Sequence, residues 1–273
     1  MKTLTNHMLL YDEDCPMCNL YTAVFIKANM LDKNGRKPFV TLTNEEQNYI
    51  DLDRAKDEIA LVDTKNKTTL YGIDSLLKVI GNSFPWMEKV GNWKPINYCL
   101  KKLYKFISYN RKVIAPSKIT SDTTIQCVPS FNVKYRLLYI VFATLFTAIV
   151  LFQYAEMISL LPKGNFTREL LLAVGQIGFQ FLFILKLSKQ KQFNYIGNLV
   201  TVSVMGSLML LPILLLNQFT LINEYVILSW FGLTVNLMIL EHYRRVSLLQ
   251  LPKFLTLTWI LYRIIALLFI LNL

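Results

Sequence analysis

The sequence predicts two parts of different kind: an α/β domain with a mixed sheet over residues 1–115, and an all-α transmembrane helix bundle over residues 135–273, joined by a linker at 116–134. Three observations lead there. The charge is unevenly spread, with 19 of the 29 Lys and Arg and 14 of the 18 Asp and Glu at or before Lys134. The front half alternates short apolar runs with helical spacing. The back half holds five apolar segments, each near the ~20 residues that cross a bilayer core. Only 17% of the chain is charged and its mean hydropathy is +0.37, whereas soluble domains carry about 25% charged residues.

The elements follow in order. His7 to Tyr11 (HMLLY) is a short apolar run, read as a buried strand and stopped by Asp12-Glu13-Asp14. Cys15 to Met30 has helical spacing, with Asp14 as its expected N-cap. After a turn at 33–36, Pro38 to Leu42 reads as a strand and Asn44 to Arg54 as a polar helix. Glu58 to Val62 and Thr68 to Tyr71 flank Asp63-Thr64-Lys65-Asn66-Lys67, a hairpin signal. Ile73 to Ile80 is a short helix and Lys94 to Ile114 a long one. On the long helix Ile96, Leu100, Leu103 and Ile107 share a face, and Lys101, Lys102 and Lys105 occupy others. The order βαβαββα is the thioredoxin topology.

The spans are expected at Tyr135–Leu160, Glu169–Leu187, Tyr195–Leu216, Leu221–Leu240 and Phe254–Leu271. Lys186, Lys189 and Lys191 lie between the second and third, and Arg244, Arg245 and Lys253 between the fourth and fifth. No Lys or Arg lies between Asn217 and Glu224, while Lys163 and Arg168 give a weaker contrary signal. The positive-inside rule then puts the N-terminus in the cytoplasm of a bacterial cell and the C-terminus outside. The opening residues show no secretory signal, in agreement. The net charge of +11 reads as topology and contact with anionic lipid, not nucleic-acid binding. The eight basic residues between Glu88 and Asp122 fit either a solvated face or one lying on the inner leaflet.

Cys15-Pro16-Met17-Cys18 carries the chemistry. A cysteine at a helix start meets unpaired N–H groups and the positive end of the dipole, which favour the thiolate. Pro16 fits the first turn. Cys15 is expected to attack as the more exposed sulfur, and Cys18, one turn on, to resolve the mixed disulfide. The same pair can hold a soft metal such as copper or mercury, or half of a zinc site completed by Cys99, Cys127 or a His. A transporter with a regulatory redox domain is a further alternative. Asp12 and Asp14 beside the motif oppose thiolate formation unless one serves as proton acceptor.

Leu10-Tyr11-Asp12-Glu13-Asp14-Cys15-Pro16-Met17-Cys18 resembles the opening motif of the DCC family of thiol-disulfide oxidoreductases, and Tyr71-Gly72-Ile73-Asp74-Ser75-Leu76 resembles its strand, Gly and helix segment. The resemblance spans about the first 115 residues. It implies a thioredoxin-like fold, a redox pair at Cys15 and Cys18, and acidic positions at Asp12 and Asp14. No cofactor is implied beyond that redox-active disulfide. Glu13 stands where the family has Gly, and Ile59 lacks the preceding Pro that thioredoxins place against the disulfide. The expected partners are a thiol or disulfide protein or a small-molecule thiol, together with membrane lipids.

In the spans, Arg263 lies near the bilayer midplane, where a lone charge is costly, and an acidic or amide group of another span is its expected partner, Glu156 first and Glu241 second. Gln153, Gln176, Gln180, Asn198 and Asn236 suit interhelical hydrogen bonds or a ligand site. Cys99 is expected to pack. Cys127 is placed to exchange with the motif. His7 and His242 have no partner by spacing. The reading is a membrane-anchored thiol-disulfide oxidoreductase.

Overall fold

A computed structural model describes residues 2–118 and 127–271. It separates into two compact units, which divide between Tyr135 and Arg136.

The first unit is built on β1 (His7–Tyr11), α1 (Pro16–Lys27), β2 (Arg36–Pro38), α2 (Asn44–Gln47), α3 (Leu52–Asp57), β3 (Ala60–Asp63), β4 (Thr68–Tyr71), α4 (Ile73–Ser83), α5 (Pro85–Gly91) and α6 (Lys94–Ile114). The sheet order is β2-β1-β3-β4. β1 and β2 are parallel, and β3 is antiparallel to β1 and β4, with Leu9 opposite Leu61. This is the thioredoxin-like arrangement.

Successive strand residues point to opposite faces, and both faces are covered. Leu10, Ala60 and Val62 pack with Phe39, Leu42, Ile50 and Ala55 on one side. Leu9 and Leu61 pack with Leu4, Leu31, Ile59 and Val79 on the other. A strand covered on both sides reads as a continuous apolar run, as HMLLY does. Each fully buried large side chain contributes about 1.5–3 kcal/mol.

Three expectations change. The second strand lies earlier, at Arg36–Pro38, and Phe39–Thr41 turns into a 3-10 helix. The apolar run there reflects Phe39 plugging the core rather than strand alternation. The helix expected at 44–54 is two short ones, because Asp51 caps a new start by accepting from Arg54 N–H at 3.0 Å. Asp14 is not the cap of α1: Cys15 holds that position.

The second unit holds five helices long and apolar enough to cross a membrane: α7 (Val133–Ala155), α8 (Phe166–Ile184), α9 (Lys189–Asn217), α10 (Glu224–Leu248) and α11 (Phe254–Leu271). α9 and α10 reach further toward their charged loop than the apolar spans alone suggest. Buried polar groups tie the helices together. Tyr195 donates to Gln180 Oε1 at 2.7 Å and lies 3.4 Å from His242 Nε2. His242 Nδ1 meets Thr256 at 3.1 Å, and Gln180 Nε2 donates to Thr258 at 3.1 Å. His242 is thus a partnered core residue. Arg245 binds Glu241 at 2.7 Å and Asn198 Oδ1 at 2.9 Å.

Candidate active site

β1 ends at Tyr11, and the turn Asp12–Asp14 delivers the chain into α1. Cys15 N–H donates to the Asp12 carbonyl at 3.1 Å, and Cys15 occupies the N-cap in an extended conformation with Pro16 following. The helix dipole and the free N–H groups of the first turn therefore meet the Cys15 sulfur. Glu13 is not among the residues with positive φ, so the turn needs no Gly there.

Cys15 and Cys18 are free thiols. The Cys18 thiol donates to the Cys15 sulfur. That hydrogen bond, working against burial and aided by the nearby Arg111 guanidinium, brings the Cys15 pKa down to about 6. The same bond, followed by burial, drives Cys18 well above its ordinary value. Tyr21 Oη lies 3.7 Å from the Cys18 sulfur and donates to it. The expectation about exposure is reversed: Cys15 is fully buried, whereas Cys18 keeps 8% of its surface.

Asp12 is buried, and its Oδ1 accepts from Asp14 N–H at 3.1 Å. Its Oδ2 lies 2.9 Å from Lys112 Nζ and 3.4 Å from Arg111. The two cations offset the carboxylate, and Arg111 favours the Cys15 thiolate directly. This resolves the electrostatic conflict read from the sequence. Asp14 accepts from the Ser117 hydroxyl through its backbone carbonyl.

Arg111 is the organising residue that sequence reasoning missed. Its guanidinium also donates to the carbonyls of Lys56, at 2.9 Å, and Cys127, at 3.0 Å. Cys127 is buried against the core, 3.5 Å from that guanidinium at its sulfur, and burial raises its pKa to about 11. Tyr104, Ser108 and Arg111 are spaced by four and three on α6, so these hydrogen-bonding side chains share one face of an otherwise apolar and basic helix; that pattern was the available signal. Half of the eight basic residues of this stretch are engaged within the domain. Lys101 pairs with Asp74 at 3.0 Å, Lys105 with Glu58 at 3.7 Å, and Arg111 and Lys112 turn inward. Cys99 is exposed rather than packed.

A cavity of about 200 Å³ opens beside Cys18, lined by Leu10, Phe39, Ile59, Leu76, Arg111 and Cys127 among others. Ile59 follows Glu58, the position where a preceding proline is missing, and its own backbone is fully engaged. Its N–H donates to Tyr104 Oη at 2.7 Å, and its carbonyl accepts from Gly72 N–H at 2.8 Å. Among the described residues, no three His, Cys, Asp or Glu side chains converge as a group that could hold a metal ion.

In the second unit, the expected ion pair is not formed. Arg263 donates to Ser203 Oγ at 3.5 Å and lies over the Trp259 ring at 4.8 Å. Glu156 is exposed, one residue beyond the end of α7, while Arg263 is midway along α11. The two therefore differ in depth by about half a span.

Residues 9–115 match the family model of the DCC1-like thiol-disulfide oxidoreductases. No curated protein and no solved structure matches the chain.

Proposed function

We propose that the family-matched domain works as a thiol-disulfide oxidoreductase held at a bacterial cell membrane by the five helices, with the N-terminus cytoplasmic and the C-terminus outside. The observation that carries the proposal is the Cys15 sulfur at the start of α1, deprotonated near neutral pH by the hydrogen bond from Cys18.

The Cys15 thiolate attacks one sulfur of a substrate disulfide. A Cys15–substrate S–S bond forms, the substrate S–S bond breaks, and the departing thiolate takes a proton from water. Once Cys15 is in the mixed disulfide it no longer receives the Cys18 hydrogen bond, so Cys18 becomes easier to ionise. Asp12, on the wall of the same cavity and held between Lys112 and Arg111, accepts the Cys18 proton. The Cys18 thiolate then attacks Cys15, the second substrate thiolate leaves, and Cys15–Cys18 closes as a disulfide. Two electrons have passed to substrate, and a small thiol reductant returns them. Asp14 contributes through its backbone, by fixing Asp12 and holding Ser117.

Because Ile59 has no free backbone hydrogen bond, a substrate strand has nothing to pair with there. This and the small apolar cavity favour a small-molecule thiol or disulfide over an extended peptide. Cys15 is sealed in this conformation, so the Asp12–Cys15 turn or the 115–118 stretch gives way for attack.

The test is thiol trapping in intact cells carrying Cys18→Ala. A mixed disulfide on Cys15, lost in Cys15→Ala/Cys18→Ala, is expected. Absence of any adduct, combined with tight stoichiometric Cu(I) binding by the wild type, would replace the redox reading with the metal one.

A further inference from the structure

A second cavity, of about 340 Å³, lies inside the helical unit, and α7 to α11 all contribute to its wall. Its lining is mostly Leu, Ile, Val, Ala and Phe, with a few polar groups. Several of those groups have no partner among the described residues. Gln176 is 4% exposed, and neither its Nε2 nor its Oε1 has a hydrogen-bond partner among the described residues. The same holds for Trp259 Nε1, in a side chain 1% exposed, and for Thr147 Oγ1, at 4%. Arg263 Nε is also unpartnered. A buried polar group left without a partner loses its hydration and gains nothing in return.

Charge sharpens the picture. Three charged side chains reach this cavity. Arg168 and Glu169 neutralise each other at 2.8 Å. Arg263 has no carboxylate partner among the described residues, only Ser203 and the face of Trp259. The cavity therefore has an excess of one positive charge and of N–H donors, set in apolar walls. Arg263, Gln176 and Thr147 all lie well inside their helices, so the polar cluster sits at depth rather than at a membrane surface.

We propose that this cavity binds a single-chain amphiphile with a carboxylate head, a long-chain fatty acid, with its head on Arg263, Gln176 and Trp259 and its chain along the apolar wall. A carboxylate is acceptor-only, with room for about four hydrogen bonds, so it matches three kinds of donor and the unpaired charge at once. A neutral carbonyl compound such as a quinone matches the donors and leaves the charge. The volume is at the low end for small-molecule sites, which suits one head and part of one chain, not a two-chain lipid.

The full-length protein in an uncharged detergent is titrated with mid-chain dibromostearate, whose bromines quench a tryptophan they touch. Saturable quenching is expected with the acid and not with its methyl ester, and Trp259→Phe removes it. Arg263→Gln should weaken binding about tenfold or more, the scale of a charged hydrogen bond, and Arg263→Lys should keep most of the affinity. Thermal melting of each variant confirms that it is folded. Equal quenching by acid and ester, or full affinity in a folded Arg263→Gln, overturns the proposal. So does equal quenching by brominated phosphatidylglycerol, or displacement of the acid by decylubiquinone with the same dependence on Trp259 and none on Arg263.

Discussion

Cys15 titrates between two opposing influences, and the balance is measurable. The Cys18 hydrogen bond and the Arg111 charge lower its pKa to about 6 from an ordinary 9.0, against burial. The reduced, folded protein therefore sheds the Cys15 proton while an unfolded chain keeps it. Reduced-state stability rises as pH climbs from about 6 to about 9, and is lost as pH falls through about 6. Ultraviolet absorbance of the thiolate should show the transition near pH 6, and Cys18→Ala should move it upward; a wild-type midpoint above 8 contradicts the arrangement. Arg111→Leu removes the other contribution. It should raise the Cys15 midpoint and cost about 3 kcal/mol in thermal unfolding, since Asp12 stays buried with Lys112 alone. Arg111→Lys should recover part of the titration shift but little of the stability, because one ammonium cannot reach Asp12 and the Lys56 and Cys127 carbonyls together. The Cys15–Cys18 pair was legible in the nine residues from Leu10 to Cys18. Arg111 was not, because it lies far away along the chain and sits in a run of lysines whose composition suggests a surface.

Gly72 shows how an element junction sets the site. It precedes α4 with φ +62° and ψ −133°, a region nearly closed to other residues. A Cβ there would meet Glu58 Oε2 at 2.9 Å and Tyr104 Cε1 at 3.3 Å. Gly72→Ala should cost about 1–3 kcal/mol from the backbone conformation alone. It should also loosen the Tyr104 bond to Ile59 N–H, visible as faster hydrogen exchange at Ile59. An unchanged melting temperature would mean that the junction relaxes freely. Strands β1 and β3 were readable because their apolar runs follow from burial on both faces, whereas α6 was readable by its length and periodicity and not by its buried face, since Leu103 and Ile107 are exposed and Ser108, Asn110, Arg111 and Val113 are buried instead. The Phe39 turn and the break between α2 and α3 were not readable. In both, a single residue serves tertiary packing or a cap in a stretch whose composition fits a regular element equally well, Phe39 in the core and Asp51 at the new helix start.

At the scale of the whole molecule, five spans were legible from length and apolarity alone, while the partner of Arg263 was not, since sequence gives depth along each helix but not which faces meet. In the topology proposed above, five crossings put the two ends on opposite sides. Reporters active only in the cytoplasm should work when fused before Met1 and fail when fused after Leu273; activity at both ends would remove one crossing. The hydrogen-bonded chain through Gln180, Tyr195, His242, Thr256 and Thr258 also has a bearing on how the protein is made. The helices α8 to α11 leave the ribosome in that order, and the two threonines are on the last. Until α11 enters the bilayer, Gln180 and His242 each lack a partner they have in the finished bundle. A chain released before Phe254 keeps that deficit permanently. With α11 in place both gaps close, so α11 completes the polar packing of the helices made before it.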